Sequence, residues 1–362
     1  MVTIQDVAKL AGVSISTVSN VLNKKTYVSK PLQERVYRAV AKLNYVRDSV
    51  ASTMKLGYTK TIGIITSDIC GLFYPNVIKG IYETFSRQGY SFSIFDSHVM
   101  GDENGLKKEE ESFRLLFSNR VDGVIFVSNV SREKEKAYIE KLKKEACRIK
   151  PTPLVSIERD FSRYGVDSVY YDNVKTAWLA TRHLIDCGCK NIAHISGPID
   201  EQIPKERIRG YLEALKERHL PFDRKDLIAT GDYTHQSGYR AMNRLLEEGI
   251  PIDGVYAAND QMGIGAIKLL HDKKIAVPGR IKVIGTDDVF ISSVMEPSLS
   301  TVHIKKKRMG KRAAEILLRR IAENQGKLEN TGEVFAEEME TKLVVRKSTD
   351  ANAAEDRSLM NW

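Results

Sequence analysis

The sequence predicts two architectures in one chain: an N-terminal all-α helix-turn-helix head, followed by an α/β domain built as two parallel-sheet lobes. Three observations carry that expectation. A capped helix, a glycine and a second capped helix open the chain between Thr3 and Leu22. From Lys60 onward, short β-branched runs alternate with amphipathic helical stretches, and the alternation restarts after Pro153. With 362 residues, 42% of them hydrophobic and 28% charged, the chain is longer than one ordinary core serves and has a soluble globular composition.

In the head, Thr3 and Asp6 form a capping box before the apolar periodicity Ile4, Val7, Ala8, Leu10 and Ala11. Gly12 stops this helix where a left-handed residue is cheap, and Val13 plugs the turn. Ser14 caps the second helix, which turns Val18, Val21 and Leu22 toward a core and leaves Ile15, Ser16, Thr17, Ser19 and Asn20 on its other face. Small polar side chains on such a helix suit base edges and phosphates in a major groove, and Asn can pair bidentately with adenine. Ser29 caps a third helix, from about Lys30 to Leu43, with Leu32, Val36, Ala39, Val40 and Leu43 as its stripe.

In the body, strands are expected at 61–66, 90–95 and 121–127, with helices at 75–88 and 109–118, and these make a first lobe. After Pro153–Ile157, helices at 174–186, 204–219 and 261–272 and strands at 191–196, 254–258 and 281–285 make a second, with a late helix near 308–324. Ligands of open parallel sheets sit beyond the carboxyl ends of the strands, so two facing lobes predict a cleft. The loops there carry Asp68, Phe73, Tyr74, Glu158, Arg159, Arg207, Tyr233, Asn259, Asp260, Asp287 and Asp288. Carboxylates, amides and a guanidinium bond hydroxyls while rings pack on sugar C–H faces, so the set suits a polyol-like ligand; any one of them alone is as readily a solvated loop residue.

Charge and composition narrow the class further. Of a net charge of +9, +6 falls within residues 1–58, where nine Lys/Arg face only Asp6, Glu34 and Asp48. A basic head points to a polyanionic partner, although a solvated basic face has the same composition. The N-terminal stretch lacks a signal-peptide pattern and no apolar run is long enough to span a bilayer, so a cytoplasmic protein is expected, nucleoid-associated when on DNA. Four scattered cysteines read as reduced structural thiols, and no cofactor or metal is called for.

VTIQDVAKLAGVSISTVSNVLN with LNYVRDSVAS in the head, and HISGP, ERIRGY, AANDQMGIGAI, VIGTDD and PSLSTVHI in the body, resemble the lactose/galactose repressor (LacI/GalR) family up to residue 346. The resemblance implies a periplasmic-binding-protein-like body. It implies Ile15, Ser16 and Asn20 at base-reading positions, and Ser14, Thr17 and Asn23 on phosphates. It makes residues 46–60 a hinge helix in the minor groove, with Met54 in place of the usual leucine wedge, Lys55 beside it, and Arg47 where a proline is common. In the body it implies Arg207, Asn259 and Asp287 as ligand-holding residues, Tyr233 as an aromatic contact, and Phe73–Tyr74 at the cleft mouth. The expected domains are 1–45, 46–60, a sensor over 61–346 and a disordered tail over 347–362. Within the sensor the first lobe takes about 61–160 and 289–320, and the second about 161–288 and 321–346.

The function expected is a sequence-specific repressor, not an enzyme, acting as a homodimer on a pseudo-palindromic operator of carbohydrate-utilisation genes. A sugar, sugar acid or sugar phosphate between the lobes would control it, the acidic options resting on Lys305–Lys307 lying near the cleft. The run Met262–Ala266 lacks the third glycine of a dinucleotide loop, and no phosphate loop or GxSxG elbow occurs, which argues against an enzyme on the same frame. A free solute-binding protein would need export, and a non-specific nucleoid protein would have no use for the cleft.

Overall fold

The computed structural model describes residues 2–23, 27–45, 57–97, 102–221 and 224–354, and the chain falls into two units, Met1–Thr59 and Lys60–Trp362. In the first unit α1 (Ile4–Ala11), α2 (Ile15–Asn23) and α3 (Lys30–Lys42) close over Val7, Val18, Val21, Val36 and Ala39. The capping box is present, with Asp6 Oδ2 accepting from Thr3 N and Thr3 Oγ1 at 2.8 Å. Gly12 ends α1 at φ 61°, the left-handed region its missing Cβ makes cheap. Two expectations fail locally. Leu10 is 44% exposed because it lies at the edge of the stripe that α2 and α3 cover. Ser29 makes no side-chain cap; Pro31 sets the first turn instead, and Gln33 Nε2 donates to Val28 O at 2.7 Å.

The second unit holds two six-stranded sheets. The strands are β1 (Thr61–Thr66), β2 (Ser91–Asp96), β3 (Gly123–Phe126), β4 (Leu154–Glu158), β5 (Asp167–Tyr170), β6 (Ile192–Ser196), β7 (Ile228–Thr230), β8 (Gly254–Ala257), β9 (Lys282–Asp287), β10 (Ser300–Ile304), β11 (Ala336–Glu338) and β12 (Thr341–Val344). Their orders are β11-β5-β4-β3-β1-β2 and β12-β10-β9-β8-β6-β7, so each lobe repeats one five-strand parallel pattern and adds a late strand, of which β12 runs antiparallel to β10. The helices are α4 (Tyr74–Phe85), α5 (Asp102–Ser118), α6 (Glu135–Arg148), α7 (Asn173–Asp186), α8 (Gln202–Glu217), α9 (His235–Glu247), α10 (Asp260–Asp272), α11 (Phe290–Val294) and α12 (Lys306–Asn324). No described helix is long and apolar enough to cross a membrane.

This order corrects the expected lobe boundaries. The chain leaves the first lobe after Tyr170, not near 160, because β5 pairs with β4. It returns after Ile304, not near 289, because β10 pairs with β9. It crosses a third time between β11 and β12, so residues 336–338 belong to the first sheet. β5 escaped the sequence reading because it is short and polar: Asp167 is buried there against Arg320, at 2.7 and 2.8 Å. The helices α6 and α9 were likewise unread. Both lobes close tightly at helix crossings, and a Cβ on Gly310 would stand 2.0 Å from Val77 O, which holds α12 against α4.

The expected tail is also corrected over its described part. Ser348 Oγ donates to Val283 O at 2.6 Å and accepts from Ser300 N at 2.8 Å, while Thr349 Oγ1 meets His183 Nε2 at 2.8 Å. Satisfying these buried groups seats 347–350 against the second sheet. Residues 355–362 lie outside the described residues.

Candidate DNA-binding face and candidate effector cleft

On the head, the α2 face opposite Val18 and Val21 is built by hydroxyl chemistry. Ser14 Oγ accepts from Thr17 N at 3.1 Å, as an N-cap does, and lies 2.7 Å from Ser16 Oγ and 2.8 Å from Thr17 Oγ1. Ile15 stands 46% exposed beside this cluster and Asn20 is half-buried further along the same helix. The side chain of Asn23 and the residues Met54 and Lys55 lie outside the described residues. Sequence reasoning did not anticipate a shallow basic depression lined by Lys9, Arg35, Arg38 and Lys42 beside Gly12.

Between the lobes lies a cavity of about 200 Å³ lined by Asp68, Phe73, Tyr74, Glu158, Arg207, Tyr233, Asn259 and Asp287, whereas Arg159, Asp260 and Asp288, expected in the same loops, are turned to internal partners instead. The structure adds Ser67, Leu72, Asn129, Glu201, Ile203, Asp232, Thr234 and Gln261. Asn129 follows β3, and Asp232 and Thr234 follow β7, so the strand-end rule applied to every strand would have found them.

The side chains are held at different tensions. Asp68 Oδ1 accepts from Cys70 N at 2.9 Å and Gly71 N at 2.8 Å, so part of it belongs to its own turn. Asn259 caps α10 through Met262 N at 2.9 Å and donates to Tyr233 O at 2.9 Å, which fixes it against the ring's own backbone. Glu158 is buried and accepts from Tyr74 Oη and, at 3.0 Å, Tyr171 Oη. Burial pushes its carboxyl above the ordinary range, while Tyr74 and Arg207 pull the other way. Arg207 donates to Asn173 Oδ1 at 3.0 Å, Ala258 O at 2.5 Å and Tyr171 Oη at 3.1 Å. Two of its five N–H groups are then left for a ligand.

Asp287 differs from all of these. It is buried, and among the described residues no hydrogen bond or ion pair reaches its carboxylate, whose pKa burial raises well above the ordinary value. Its φ of 112° and those of Glu158 (68°), Tyr233 (67°) and Asp288 (57°) lie in the left-handed region. Non-glycine residues held there cost on the order of 1–3 kcal/mol each, and such strain gathers at ligand clamps. An unpartnered acceptor beside a guanidinium with spare donors presents complementary halves to a group that both donates and accepts.

The expectation that Lys305–Lys307 line the cleft does not survive. Lys305 pairs with Glu340 and Lys307 with Glu83, both at 2.8 Å on the surface, and Lys306 is turned inward onto backbone carbonyls. The cavity wall carries five carboxylates, Asp68, Glu158, Glu201, Asp232 and Asp287, against one cation, Arg207. With the three lysines away from the wall, a sugar acid or sugar phosphate loses the cations that were expected to favour it. Among the described residues no group of His, Cys, Asp and Glu is placed to hold a metal ion.

Comparison with known proteins agrees with this geometry. Residues 3–48 match the model of bacterial regulatory proteins of the lacI family, and residues 181–349 match a periplasmic binding protein-like domain. The HTH-type transcriptional repressor PurR of Aliivibrio fischeri (strain ATCC 700601 / ES114) is 34% identical over 350 residues, 96% of this chain and 98% of the relative. PurR of Histophilus somni (strain 2336) is 32% identical over 348 residues, covering 96% and 99%. Among solved structures, a complex of the transcriptional regulator CelR with cellobiose superposes with a TM-score of 0.67 at 30% identity, covering 96% of this chain and 100% of the other. The Lac repressor dimer bound to operator and the anti-inducer ONPF gives 0.79 at 25%, covering 96% and 99%. The capped helix-turn-helix, the paired lobes with their cleft and the full-length likeness to repressors rather than enzymes together make this chain a member of the LacI family of DNA-binding transcriptional repressors.

Proposed function

We propose that the protein works as a homodimer whose two heads read a pseudo-palindromic operator, and that a neutral, hydroxyl-rich, sugar-like effector in the cleft controls the binding. Ile15, Ser16 and Asn20 face base edges in this reading, Ser14, Thr17 and Asn23 hold phosphates, and Met54 with Lys55 engages the minor groove at the operator centre. Asp68, Phe73, Tyr74, Glu158, Arg207, Tyr233, Asn259 and Asp287 hold the effector. The genes controlled are those of carbohydrate use, and the protein acts in the cytoplasm. Effector occupancy changes the lobe angle and with it the arrangement of the heads.

The observation that carries the effector class is the cavity wall: Asp287 without a partner, Arg207 with N–H groups to spare, and Phe73, Tyr74 and Tyr233 as flat apolar surface. A vicinal diol donates to the carboxylate and accepts from the guanidinium at once. The cellobiose in the CelR complex and the operator-bound Lac repressor dimer are the relatives' counterparts of these two partners.

The test is a thermal-shift panel of cellobiose, glucose, ribose, gluconate, glucose 6-phosphate and adenine on the full chain. A ligand at about a hundredfold over its dissociation constant adds roughly 2.7 kcal/mol of stability. Shifts confined to the neutral sugars are expected; a shift from adenine or from the anions alone overturns the class. Selection from random duplexes should return inverted half-sites, and a single unpaired half-site sinks the dimer reading.

A further inference from the structure

The three adjacent lysines Lys305–Lys307 are left without a role at the cavity wall, and the middle one is the most enclosed. Lys306 is the first residue of α12, directly after the chain crosses from β10 back to the first lobe, and it is only 5% exposed. Its Nζ donates to the backbone carbonyls of Asp287, of Asp288 at 2.9 Å and of Ile304 at 3.5 Å. Three carbonyls use all three ammonium donors. We propose that Lys306 is a positioning residue, which aims the Asp287 carboxylate into the cleft and ties it to the helix that belongs to the first lobe. The inference rests on the reading of the cleft as the effector site.

The geometry supports it from both sides. Asp287 and Asp288 are consecutive residues in the left-handed region, at φ 112° and 57°, and such a pair persists only where its surroundings over-determine it. The ammonium supplies that restraint by gripping both carbonyls. On the other side, the close approach of Gly310 to Val77 seats α12 on α4, so Lys306 travels with the first lobe. Lys305 Nζ meets Glu340 Oε2 at 2.8 Å and so joins the second chain crossing to the third. A rotation of the lobes therefore pulls the ammonium against the end of β9 and re-aims the Asp287 carboxylate. The ammonium thus acts twice on one residue: it restrains the main chain of Asp287, and it is the compensating charge beside the carboxylate that this main chain aims.

The groups facing Lys306 are Asp287, Asp288, Asp260 and Arg346, with Arg207 and Glu158 facing Asp287 in turn. This sets the sign of a ligand-free test. Without the ammonium, ionising Asp260 and Asp287, whose carboxyls burial already holds above the ordinary value, costs more as pH rises, so the loss of stability grows toward alkaline pH. The full-length protein without ligand is melted between pH 5 and 8.5 as wild type, Lys306→Met, Asp287→Asn and the double variant, with Lys306→Gln in the same cycle should Lys306→Met not fold. The expected result is a loss in Lys306→Met that is larger at pH 8 than at pH 5 by roughly 3 °C or more, at least half of it restored by Asp287→Asn. Additive effects with a loss independent of pH overturn the proposal. With cellobiose, glucose and ribose as probes, Lys306→Met should also bind at least tenfold more weakly at a pH where it is folded, and unchanged binding overturns the proposal equally. If none of these sugars shifts the wild type, the reading of the cleft fails by itself, and the ligand-free cycle still decides Lys306.

Discussion

The two lobes repeat one strand order, and in both the buried charges are compensated one way in the supporting layers and another way at the cleft. In the first, guanidinium meets carboxylate directly: Arg159 Nη2 donates to Glu135 at 2.7 Å, and Arg320 is shared between Asp167 and Glu323 at 2.7 and 2.8 Å. In the second, the pair Arg346–Asp288 at 2.6 Å is of the same kind. Around the cleft, however, Arg207 spends its donors on a tyrosine, an amide and a carbonyl, Lys306 spends its on carbonyls, and the Asp287 carboxylate is left over. A charge closed on a counter-charge has nothing left to offer a ligand, whereas one held by neutral dipoles keeps its field available. The same fold thus serves as a stiff support away from the cleft and a receptive wall at it.

The sharpest way to break this contrast is to open a closed pair. Arg159→Ala removes donors to Ser128 O at 2.9 Å and Val130 O at 2.6 Å and strips Glu135 of one of its two guanidinium partners. A loss of about 3–5 kcal/mol in denaturant unfolding is expected; a loss under about 1 kcal/mol would show that the first lobe does not depend on its closed pairs. Arg207→Gln should cost less stability, about 1–3 kcal/mol, because its partners are neutral, and should abolish the thermal shift by any neutral sugar that acts on the wild type. Ligand binding that survives Arg207→Gln would move the receptive wall elsewhere.

A smaller and opposite pair of effects lies in pH. Glu109, in the first lobe under Tyr138, is pushed by burial up to about 7, and His194, stacked between Tyr211 and Tyr256 in the second, is held by burial down to about 4. The folded state binds the Glu109 proton more tightly than the unfolded chain, so stability falls as pH rises from the ordinary glutamate value through about 7. For His194 the folded state binds the proton less tightly, so stability falls as pH drops below the ordinary histidine value toward about 4. Each effect amounts to about 3 kcal/mol over its full window. Glu109→Gln should flatten the alkaline limb and His194→Phe the acid limb; if either variant keeps the wild-type slope, that group is not the source. The least effect is expected from Arg132→Ala. Its partner Glu206 is 3.7 Å away on the other lobe and only half-buried, while Arg132 itself is exposed, so a change within about 1 kcal/mol is predicted in melting, with sugar affinity nearly unchanged.

Legibility followed the range of the interactions involved. The head was readable because a capping box, a left-handed glycine and a helical stripe are all decided within a few residues. The strands β1, β3, β6, β8 and β9 were readable as β-branched runs, and their loops yielded the cleft residues that the cavity brings together. α6 went unread although Tyr138, Ile139, Leu142 and Ala146 line its inward face, because that face opens on Glu135, a charge buried only through Arg159 and Arg163. β5 hid for the same reason, and the seat of Ser348 and Thr349 depends on acceptors and donors far along the chain.

The amino-acid sequence by itself determined the class of the molecule, its three head helices, the strand-to-helix alternation and the loops that carry ligand chemistry, since local hydrogen bonding and side-chain periodicity are enough for these. Only the tertiary structure decided where the lobes divide, that the terminal segment is seated, and that of three neighbouring lysines one is buried and two are paired at the surface. Burial and charge compensation depend on partners such as Asp167 and Arg320, 153 residues apart, and no pattern within a short window records which distant group will stand opposite.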